Sequence, residues 1–323
     1  MRKKLLQALI VLFVCTSCNN ISERKIPAVK VSKEGKRLSI THTAATRIKT
    51  VGILLYDGYA VLDAMGPYHV LSEMTGVDVF FVGRRAGMIT TGNGMKVLCD
   101  TSIDLVKQLD ILVIPGGLQE TYNATRDTTL LAWIKAIDKN STYTASVCTG
   151  AWILGATGLL KRKPATTHWY GKAILCGEFG ANLQNKRYVK SGKYWTSAGV
   201  TAGMDMSLAI VNEIMGETYT KAAMLDLEYD PQPPLTGGSV QHTDKEIVET
   251  VRSIYDGSMQ KILHPETVLK NLKFANSKDF VCGMPVTSGV ADTVHYGGKV
   301  YAFCSPVCRN SFKKDPASYI ATE

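Results

Sequence analysis

The residue with the clearest chemical potential is Cys148, in the stretch Ala145-Ser146-Val147-Cys148-Thr149-Gly150-Ala151. The apolar pattern predicts a buried strand over 143–147 and a helix over 150–158. A side chain at such a strand-to-helix turn is held out of the sheet in a constrained backbone conformation. Unpaired N–H groups at the helix start favour thiolate, so we expect them to lower the pKa of this thiol. Cys148 is therefore a candidate nucleophile, and the alternative is a buried, inert thiol.

A second set of candidate groups follows the strand predicted over 109–114, which ends in Pro115-Gly116-Gly117. In a parallel sheet, sites form at the carboxyl ends of the strands. The backbone N–H of Gly117 could then face the same space as that of Thr149. Two such donors would form an oxyanion-hole-type pocket, in which one donor is worth roughly 3 kcal/mol of barrier. Gly116 and Gly117 are therefore candidate pocket residues.

The elements that must position these groups alternate along the 323-residue chain. Short apolar strands alternate with helices, which implies an α/β fold with a parallel sheet covered on both faces, a three-layer sandwich. The sequence pattern changes near residues 230–234. A helical stretch follows, which either packs on the main domain or acts as a spacer. From Ser277 the chain is short-period, Cys-bearing and Gly-rich, which predicts a small α+β domain. The predicted segments are a main domain over 49–240, a helical linker over 241–275 and the small domain over 276–323.

The first residues predict export rather than fold. Three basic residues precede an apolar run over 5–14 that is too short to span a bilayer but is typical of a signal peptide. The end of the run resembles a bacterial lipobox, although Cys15 stands where a Leu is usual. We therefore expect a signal peptide over 1–17, acylation of Cys18 and a tether over 18–48, which anchors the protein to a membrane of the bacterial cell envelope. Plain secretion is the alternative.

The charge of the chain bears on the class of partner that it binds. The formal net charge is +9, of which 3 charges lie in the leader, so 9 − 3 leaves +6 for the remaining chain. The basic residues are scattered without interleaved aromatic residues, so we expect no nucleic-acid partner.

Of the eight cysteines, three lie in the middle of the chain and three near its end. An exported chain can form disulfides, which is the structural alternative for each of these six.

The three cysteines near the end of the chain form a separate candidate site. A Cys-Gly turn, a hairpin at Gly297-Gly298 and a Cys-x3-Cys before a short helix bring Cys282, Cys304 and Cys308 within reach of one point. Soft thiolates suit Zn²⁺ or Cu⁺. The cysteine count leaves a fourth ligand open, which Met284 or His295 could supply, unless the site is three-coordinate. A disulfide between two of the three is the alternative to a metal.

Six strings between residues 50 and 240 resemble the ThiJ/PfpI superfamily, which has the class I glutamine amidotransferase-like, flavodoxin-like fold. Within it they resemble those of the isonitrile hydratases, although several also occur in sensor domains fused to AraC-type regulators. The strings are Leu62-Asp63-Ala64-Met65-Gly66-Pro67, Pro115-Gly116-Gly117, Ser146-Val147-Cys148-Thr149-Gly150, Ala165-Thr166-Thr167-His168-Trp169, Ala198-Gly199-Val200-Thr201-Ala202-Gly203-Met204-Asp205 and Leu227-Glu228-Tyr229-Asp230-Pro231.

The resemblance implies a small-molecule substrate and three catalytic residues. Cys148 would attack the isocyanide carbon, Asp63 would shuttle protons beside the thiol, and Thr149 would support the cysteine and its bound intermediate. The net reaction adds water to R–NC and gives an N-substituted formamide, a carbon–nitrogen hydro-lyase reaction. Because a carboxylate and a thiolate repel each other, one of the two partners should hold the proton. The alternative for Asp63 is a helix cap.

A cysteine protease or amidase would need a His to deprotonate the thiol. In the protease-like branch of the superfamily that His directly follows the Cys, where this chain has Thr149. His168 is the conspicuous His of the middle section, and we interpret it as a pocket residue with a structural role beside Trp169. The main domain is expected to need no cofactor, and a homodimer is expected from the family.

The C-terminal segment resembles a YHS domain, a module found beside copper-handling and other metal-transport proteins. Metal binding, as Zn or Cu, is what this resemblance implies. The sequence thus favours an envelope hydratase of the isonitrile type with a metal-binding appendage. The alternative is a non-catalytic envelope protein that binds metal or senses oxidants through Cys148.

Overall fold

The structure is a computed structural model that describes residues 47–263, 273–286 and 292–320. The predicted signal peptide over 1–17, Cys18 and most of the tether over 18–48 lie outside the described residues, so export and acylation stay predictions of the sequence. Among the helices of the described ranges, none has the length and apolar character needed to cross a membrane.

A seven-stranded sheet forms the centre of the main domain, and its neighbouring strands pair in parallel except at the β10–β11 edge. In spatial order its strands are β10 (Tyr188–Ser191), β11 (Tyr194–Ser197), β7 (Tyr143–Ser146), β6 (Ile111–Ile114), β1 (Thr50–Leu55), β2 (Asp78–Gly83) and β5 (Thr101–Ser102). Three two-stranded pairs accompany it: β3 (Gly87–Thr90) with β4 (Lys96–Cys99), β8 (Pro164–Ala165) with β9 (Asn182–Leu183), and β12 (Asp292–Tyr296) with β13 (Lys299–Phe303).

The helices of the main domain fall into two groups by their contacts, one around α6 and one around α4, and together they cover the sheet. They are α1 (Val61–Ser72), α2 (Gln119–Ala124), α3 (Thr128–Asn140), α4 (Gly150–Ala156), α5 (Lys172–Gly177), α6 (Ala202–Met215), α7 (Glu217–Asp226) and α8 (Lys245–Leu263). The C-terminal segment adds α9 (Pro306–Lys314) and α10 (Pro316–Ile320), which pack on its hairpin and on each other. The predicted α/β sandwich with a parallel sheet is confirmed. The predicted strands and helices recur with ends shifted by a few residues.

The central strands are buried because both faces of the sheet are covered. All four residues of β6 and the last five of β1 are buried. Such continuous apolar runs are typical of strands in a parallel sheet. In register, Ile53 pairs with Val113, and Ile114 pairs with Ser146. The loops that follow β1, β6 and β7 therefore leave the sheet side by side, at its carboxyl edge.

Helix α8 settles one of the alternatives left open by the sequence. The side chain of Met259 is fully buried against the main domain. Gln119 of α2 donates from Nε2 to the backbone oxygen of Ser258 at 2.5 Å. Helix α8 of the predicted linker over 241–275 therefore packs on the main domain, whereas Ala275 N–H donates to the Val300 oxygen of the C-terminal segment at 2.8 Å. The domain boundaries themselves stay predictions.

The C-terminal module has its own small core. Strands β12 and β13 form an antiparallel hairpin whose turn lies at Gly297-Gly298, as predicted. The Phe312 ring of α9 is fully buried, and its centroid lies 4.9 Å from that of Phe303. The residues packed around it are Phe280, Val294, Tyr301, Cys308 and Tyr319. A core of this size supplies little stability, so a metal or other staple would add to it.

The close approach of β6 and α4 generates the first prediction. A Cβ on Gly150 would lie 2.2 Å from the backbone oxygen of Ile114, which cannot move aside without breaking the sheet. We expect Gly150→Ala to lower the free energy of unfolding by about 3 kcal/mol, the upper range for an overpacked core. Denaturant titration followed by circular dichroism measures it.

The matched control is Gly257, inside α8, where an added Cβ would meet nothing within 4 Å. Gly257→Ala is expected to stabilise the protein by up to about 1 kcal/mol, because alanine is the better helix former. Equal effects of the two substitutions would contradict the close approach at Gly150.

Candidate functional site

Cys148 occupies a strained turn at the carboxyl edge of the sheet. Its φ is +56°, in the left-handed region that non-glycine residues rarely adopt. The Thr167 hydroxyl donates to the backbone oxygen of Cys148 at 2.7 Å and fixes this peptide group. On the other side, Val147 N–H donates to the oxygen of Ile114 at 2.9 Å. The constrained conformation predicted for this turn is therefore confirmed, and its neighbours hold it in place.

Asp63, the third residue of α1, places a carboxyl group beside the thiol. The residue is fully buried, and its Oδ2 accepts a hydrogen bond from Gly116 N–H at 3.0 Å. The Cys148 thiol interacts with the same carboxyl group through its proton. Asp63 does not cap α1, whose N-cap is Ala60. The helix-cap alternative is therefore wrong, because the carboxyl faces another loop rather than its own helix start.

Burial controls the protonation of this pair. It raises the pKa of Asp63 to about 7, against the opposing effect of the Gly116 amide. Burial, followed by the charge of Asp63, raises the pKa of Cys148 well above its usual value. Two like charges side by side in an apolar interior repel each other, so the pair keeps a proton near neutral pH.

Burial and the charge of Asp63 raise the pKa of Cys148 and outweigh the Thr149 backbone N–H at the helix start, which lowers it as the sequence predicts. A helix start contributes about 0.3–1 kcal/mol, and α4 has only seven residues. Full burial shifts a pKa by up to about 3–5 units, each worth about 1.4 kcal/mol. The desolvation of the thiol thus exceeds the effect of the helix.

The loop after β6 engages the turn through Thr149. Gly117 N–H donates to Thr149 Oγ1 at 3.0 Å, and that hydroxyl donates to the Gly117 oxygen at 2.6 Å. The prediction that the Gly117 amide faces an open oxyanion pocket is therefore wrong, because the threonine hydroxyl takes it; the Gly116 amide is likewise taken by Asp63. The Thr149 hydroxyl has a single proton, which it donates to the Gly117 oxygen. The backbone N–H of Thr149 is therefore the group of this residue that donates to the Cys148 sulfur.

Tyr56 is a site residue that sequence reasoning missed. Its buried hydroxyl donates to the Pro115 oxygen at 2.8 Å and lies 2.8 Å from Thr121 Oγ1. Tyr56 therefore fixes the start of the loop that carries Gly116 and Gly117. The sequence marks it only as the end of a strand, and its partner across the sheet edge is 59 positions away.

His168 lies in an aromatic cluster rather than on the thiol. Its ring centroid is 5.5 Å from that of Trp169 and 5.8 Å from that of Tyr255 in α8. Burial, followed by the positive charge of Lys172, lowers the pKa of His168 to about 4. The ring is therefore neutral near pH 7 and supplies no positive charge to the site. The approach of Tyr255 was not foreseen, because α8 is distant along the chain.

The C-terminal module brings three thiols and a carboxylate together. One ligand atom from each of Asp279, Cys282, Cys304 and Cys308 lies within 4.8 Å of all the others. The Cys304 sulfur is 3.2 Å from that of Cys282 and 3.7 Å from that of Cys308. Within the described ranges every cysteine is a free thiol. Of the fourth ligands considered from the sequence, His295 does not belong to this group.

Asp279 is therefore the fourth group, and the sequence analysis missed it. Its Oδ2 accepts from Cys304 N–H at 2.8 Å and its Oδ1 accepts from Val281 N–H at 2.9 Å. The carboxylate thus ties the two cysteine-bearing segments together. Each oxygen keeps a further lone pair that could face a cation. Its position three residues before Cys282 was the available signal. Three thiolates and one carboxylate fit the tetrahedral donor set that Zn²⁺ prefers.

Comparison with known proteins gives two family matches. A model of the DJ-1/PfpI family matches residues 49–213, and a model of the YHS domain matches residues 277–323. An isonitrile hydratase of Pseudomonas putida is 34% identical over 202 residues, which cover 62% of this chain and 88% of the relative. These matches agree with the resemblances noted from the sequence.

Two further relatives bear on the range of functions. The crystal structure of a ThiJ/PfpI family protein from Pseudomonas syringae superposes with a TM-score of 0.64 at 32% identity, covering 67% of this chain and 89% of that one. A helix-turn-helix transcriptional regulator of Pseudomonas aeruginosa is 27% identical over 170 residues, half of each chain. The same domain thus occurs in proteins of different function.

The raised pKa of Asp63 predicts a pH-dependent stability. Its folded pKa is about 7 and its unfolded reference is 3.8. Between these values the folded state binds more protons, so the free energy of unfolding falls as pH rises from about 4 to about 7. Asp63→Asn stays neutral and can still accept from Gly116, so it should remove this fall. At pH 8 the variant should be more stable by a few kcal/mol.

Urea titrations at pH 5 and pH 8 measure this difference. Asp104→Asn, at an exposed carboxylate, is the control and should leave the pH dependence unchanged. Parallel stability curves for the wild type and Asp63→Asn would show that the carboxyl is not buried as described.

Proposed function

Because the chain belongs to the DJ-1/PfpI family and carries a C-terminal YHS domain, we propose that its main domain is a hydratase that converts an isonitrile into an N-substituted formamide. The observation that carries the proposal is the buried pair of Asp63 and Cys148, which holds one movable proton beside a soft nucleophile. The named activity of the 34% identical relative supports the substrate class.

The first step adds the thiol to the substrate. Ionised Asp63 accepts the proton of Cys148 as the sulfur attacks the terminal carbon of R–N≡C, so charge never accumulates on both groups. Asp63 then delivers that proton to the same carbon. A C–S bond and a C–H bond have formed, and the product is a thioimidate, R–N=CH–S–Cys. The Thr149 backbone N–H stabilises the negative charge on the sulfur during attack.

The second step hydrolyses the thioimidate. Water attacks its carbon and a water proton passes through Asp63 to the nitrogen, which gives R–NH–CH(OH)–S–Cys. The C–S bond then breaks, and the hydroxyl proton returns through Asp63 to the departing sulfur. The products are R–NH–CHO and the free thiol. One water has been added, and no oxidant, reductant or cofactor enters the balance.

The same geometry disfavours the alternatives for Cys148. Oxidant sensing requires a low-pKa, accessible thiolate, whereas burial raises the pKa of Cys148 and leaves 5% of the residue exposed. Proteolysis requires a histidine base, whereas His168 packs among aromatic rings. Both observations favour chemistry in which a carboxylate takes the thiol proton only as the bond between the sulfur and the substrate carbon forms.

The proposal predicts turnover of cyclohexyl isocyanide to its N-formyl product by the full chain, measured by chromatography with mass detection. Cys148→Ala should lower kcat/KM by at least about a thousandfold, as loss of a nucleophile does. Because Asp63 must be ionised, kcat/KM should rise with pH through about 7, and this apparent pKa belongs to the pair.

Cys176→Ala is the matched control, because that thiol is exposed and lies on α5. It should leave kcat/KM unchanged. Turnover that survives Cys148→Ala would end the mechanism, and no turnover by the wild type would end the proposed substrate class.

A second function is supported by the C-terminal cluster. We propose that Cys282, Cys304 and Cys308 bind a thiophilic metal ion, Zn²⁺ or Cu⁺, with Asp279 as the fourth group. The convergence of the four ligand atoms within 4.8 Å is the supporting observation. A cation there would displace the thiol protons, bind the three sulfurs as thiolates and staple a module with a small core.

The fourth group distinguishes the two metals. Four-coordinate Zn²⁺ would use the Asp279 carboxylate, whereas Cu⁺ selects soft sulfur ligands. Asp279→Asn should therefore weaken Zn²⁺ binding by about tenfold or more and leave Cu⁺ binding nearly unchanged. Elemental analysis of the purified full chain, followed by competition with a chromophoric chelator, measures both affinities. Cys176→Ala is again the control, and a metal-free protein with a mapped disulfide among the three cysteines would end the proposal.

A further inference from the structure

Helix α8 lies across the Cys148 site, and its Tyr255 faces the aromatic cluster there. The Tyr255 ring centroid is 4.8 Å from that of Tyr170 and 5.8 Å from those of Trp169 and His168. These three rings directly follow Thr167, whose hydroxyl holds the backbone oxygen of Cys148. Tyr255 is therefore one short segment away from the turn that presents the thiol.

Polar contacts anchor α8 on two loops that border the thiol. On one side, Gln119, which lies two residues beyond Gly117, donates to the backbone oxygen of Ser258 at 2.5 Å. On the other side, the Tyr170 hydroxyl donates to Asp256 Oδ1 at 2.9 Å. The α8 helix thus bridges the start of α2 and the turn at 168–170.

The site under this bridge is closed. Cys148 is 5% exposed, Thr149 is 1% exposed and Asp63 is fully buried, whereas Tyr255 is half-buried. Burial, followed by the charge of Cys148, raises the pKa of the Tyr255 phenol, so the phenol lies within electrostatic reach of the sulfur. The Tyr255 ring therefore packs on the segment that follows Thr167, whose hydroxyl holds the Cys148 turn.

We propose that Tyr255 is a specificity-determining residue, whose ring forms the outer wall of the Cys148 site and limits the size of the molecule that reaches the thiol. The DJ-1/PfpI match ends at residue 213, so this wall comes from chain beyond it.

The wall also indicates the chemistry of the group it admits. The Arg252 guanidinium lies 5.2 Å from the centroid of the Trp169 ring, and Asp256 is paired with Tyr170. The rings that Tyr255 contacts, those of His168, Trp169 and Tyr170, are uncharged near neutral pH. Resting on the proposed function for this point alone, the N-substituent of the isonitrile is expected to be apolar and to pack on Tyr255 and Trp169.

The test measures alkylation of Cys148 in the full chain, so it does not depend on hydratase turnover. The Cys148 sulfur displaces iodide from each reagent, and the thiol proton goes to the buffer. Iodoacetamide is the small probe and an N-naphthyl iodoacetamide is the large one. Peptide mass spectrometry after timed quenching gives the rate at Cys148 and, in the same sample, at exposed Cys176.

Tyr255→Ala should raise the rate of the naphthyl reagent at Cys148 by at least about tenfold and that of iodoacetamide by much less, because only the larger molecule meets the wall. Tyr255→Phe keeps the ring and should behave as the wild type. Rates at Cys176 should not change in either variant. An unchanged ratio of the two rates in Tyr255→Ala would overturn the proposal.

A second variant separates the wall from the docking of the helix. Gln119→Ala removes the hydrogen bond to Ser258 and keeps the Tyr255 ring. Loosened docking should raise both alkylation rates by similar factors. If Tyr255→Ala also raised both rates equally, Tyr255 would only hold α8 in place, and the specificity role would be wrong. Absence of hydratase turnover with a changed alkylation ratio would reject the substrate class and keep the wall.

Discussion

A carboxyl group and a thiol buried side by side cannot both carry a charge, and the site is organised around this constraint. Burial raises the pKa of Asp63 to about 7 and that of Cys148 well above its usual value. The pair therefore keeps one proton, which the Gly116 amide and the Thr149 amide help to place. A thiol activated in this way becomes nucleophilic only while its carboxylate partner receives the proton. Such a pair is better suited to addition to a neutral, soft electrophile than to reactions that need a permanently ionised thiolate.

The backbone around the pair is strained and crowded for the same reason. Cys148 has a φ of +56°, and a Cβ on Gly116 would lie 2.6 Å from the amide nitrogen of Thr149. Gly150 meets the end of β6 even more closely. These approaches bring two loops into close contact beside the buried Asp63 carboxyl. The glycines thus allow the close packing around the pair, and burial is what raises both pKa values.

The C-terminal module gathers a second group of ionisable side chains. Its Asp279 carboxylate and three thiols converge in a module whose core is built around one phenylalanine, Phe312. The neighbouring Cys282 and Asp279 raise the pKa of Cys304 to about 12, so this thiol keeps its proton unless a cation displaces it. The main domain avoids repulsion by keeping a proton on the pair, whereas the proposed metal would replace the thiol protons here.

Local pattern in the sequence determined the α/β class, the alternation of strands and helices, and the turn that carries Cys148, because apolar periodicity and turn residues act over short stretches. The antiparallel β10–β11 edge was not predicted. It also indicated Asp63, Thr149 and the three C-terminal cysteines, through strings that resemble known families. Only the tertiary structure decided the direction of the Cys148 pKa, the partner of the Gly117 amide, the place of Asp279 and the approach of Tyr255. Each of these depends on burial or on contacts between residues far apart in the chain. Desolvation has no local signature in a sequence, since it arises only when distant elements close over a group.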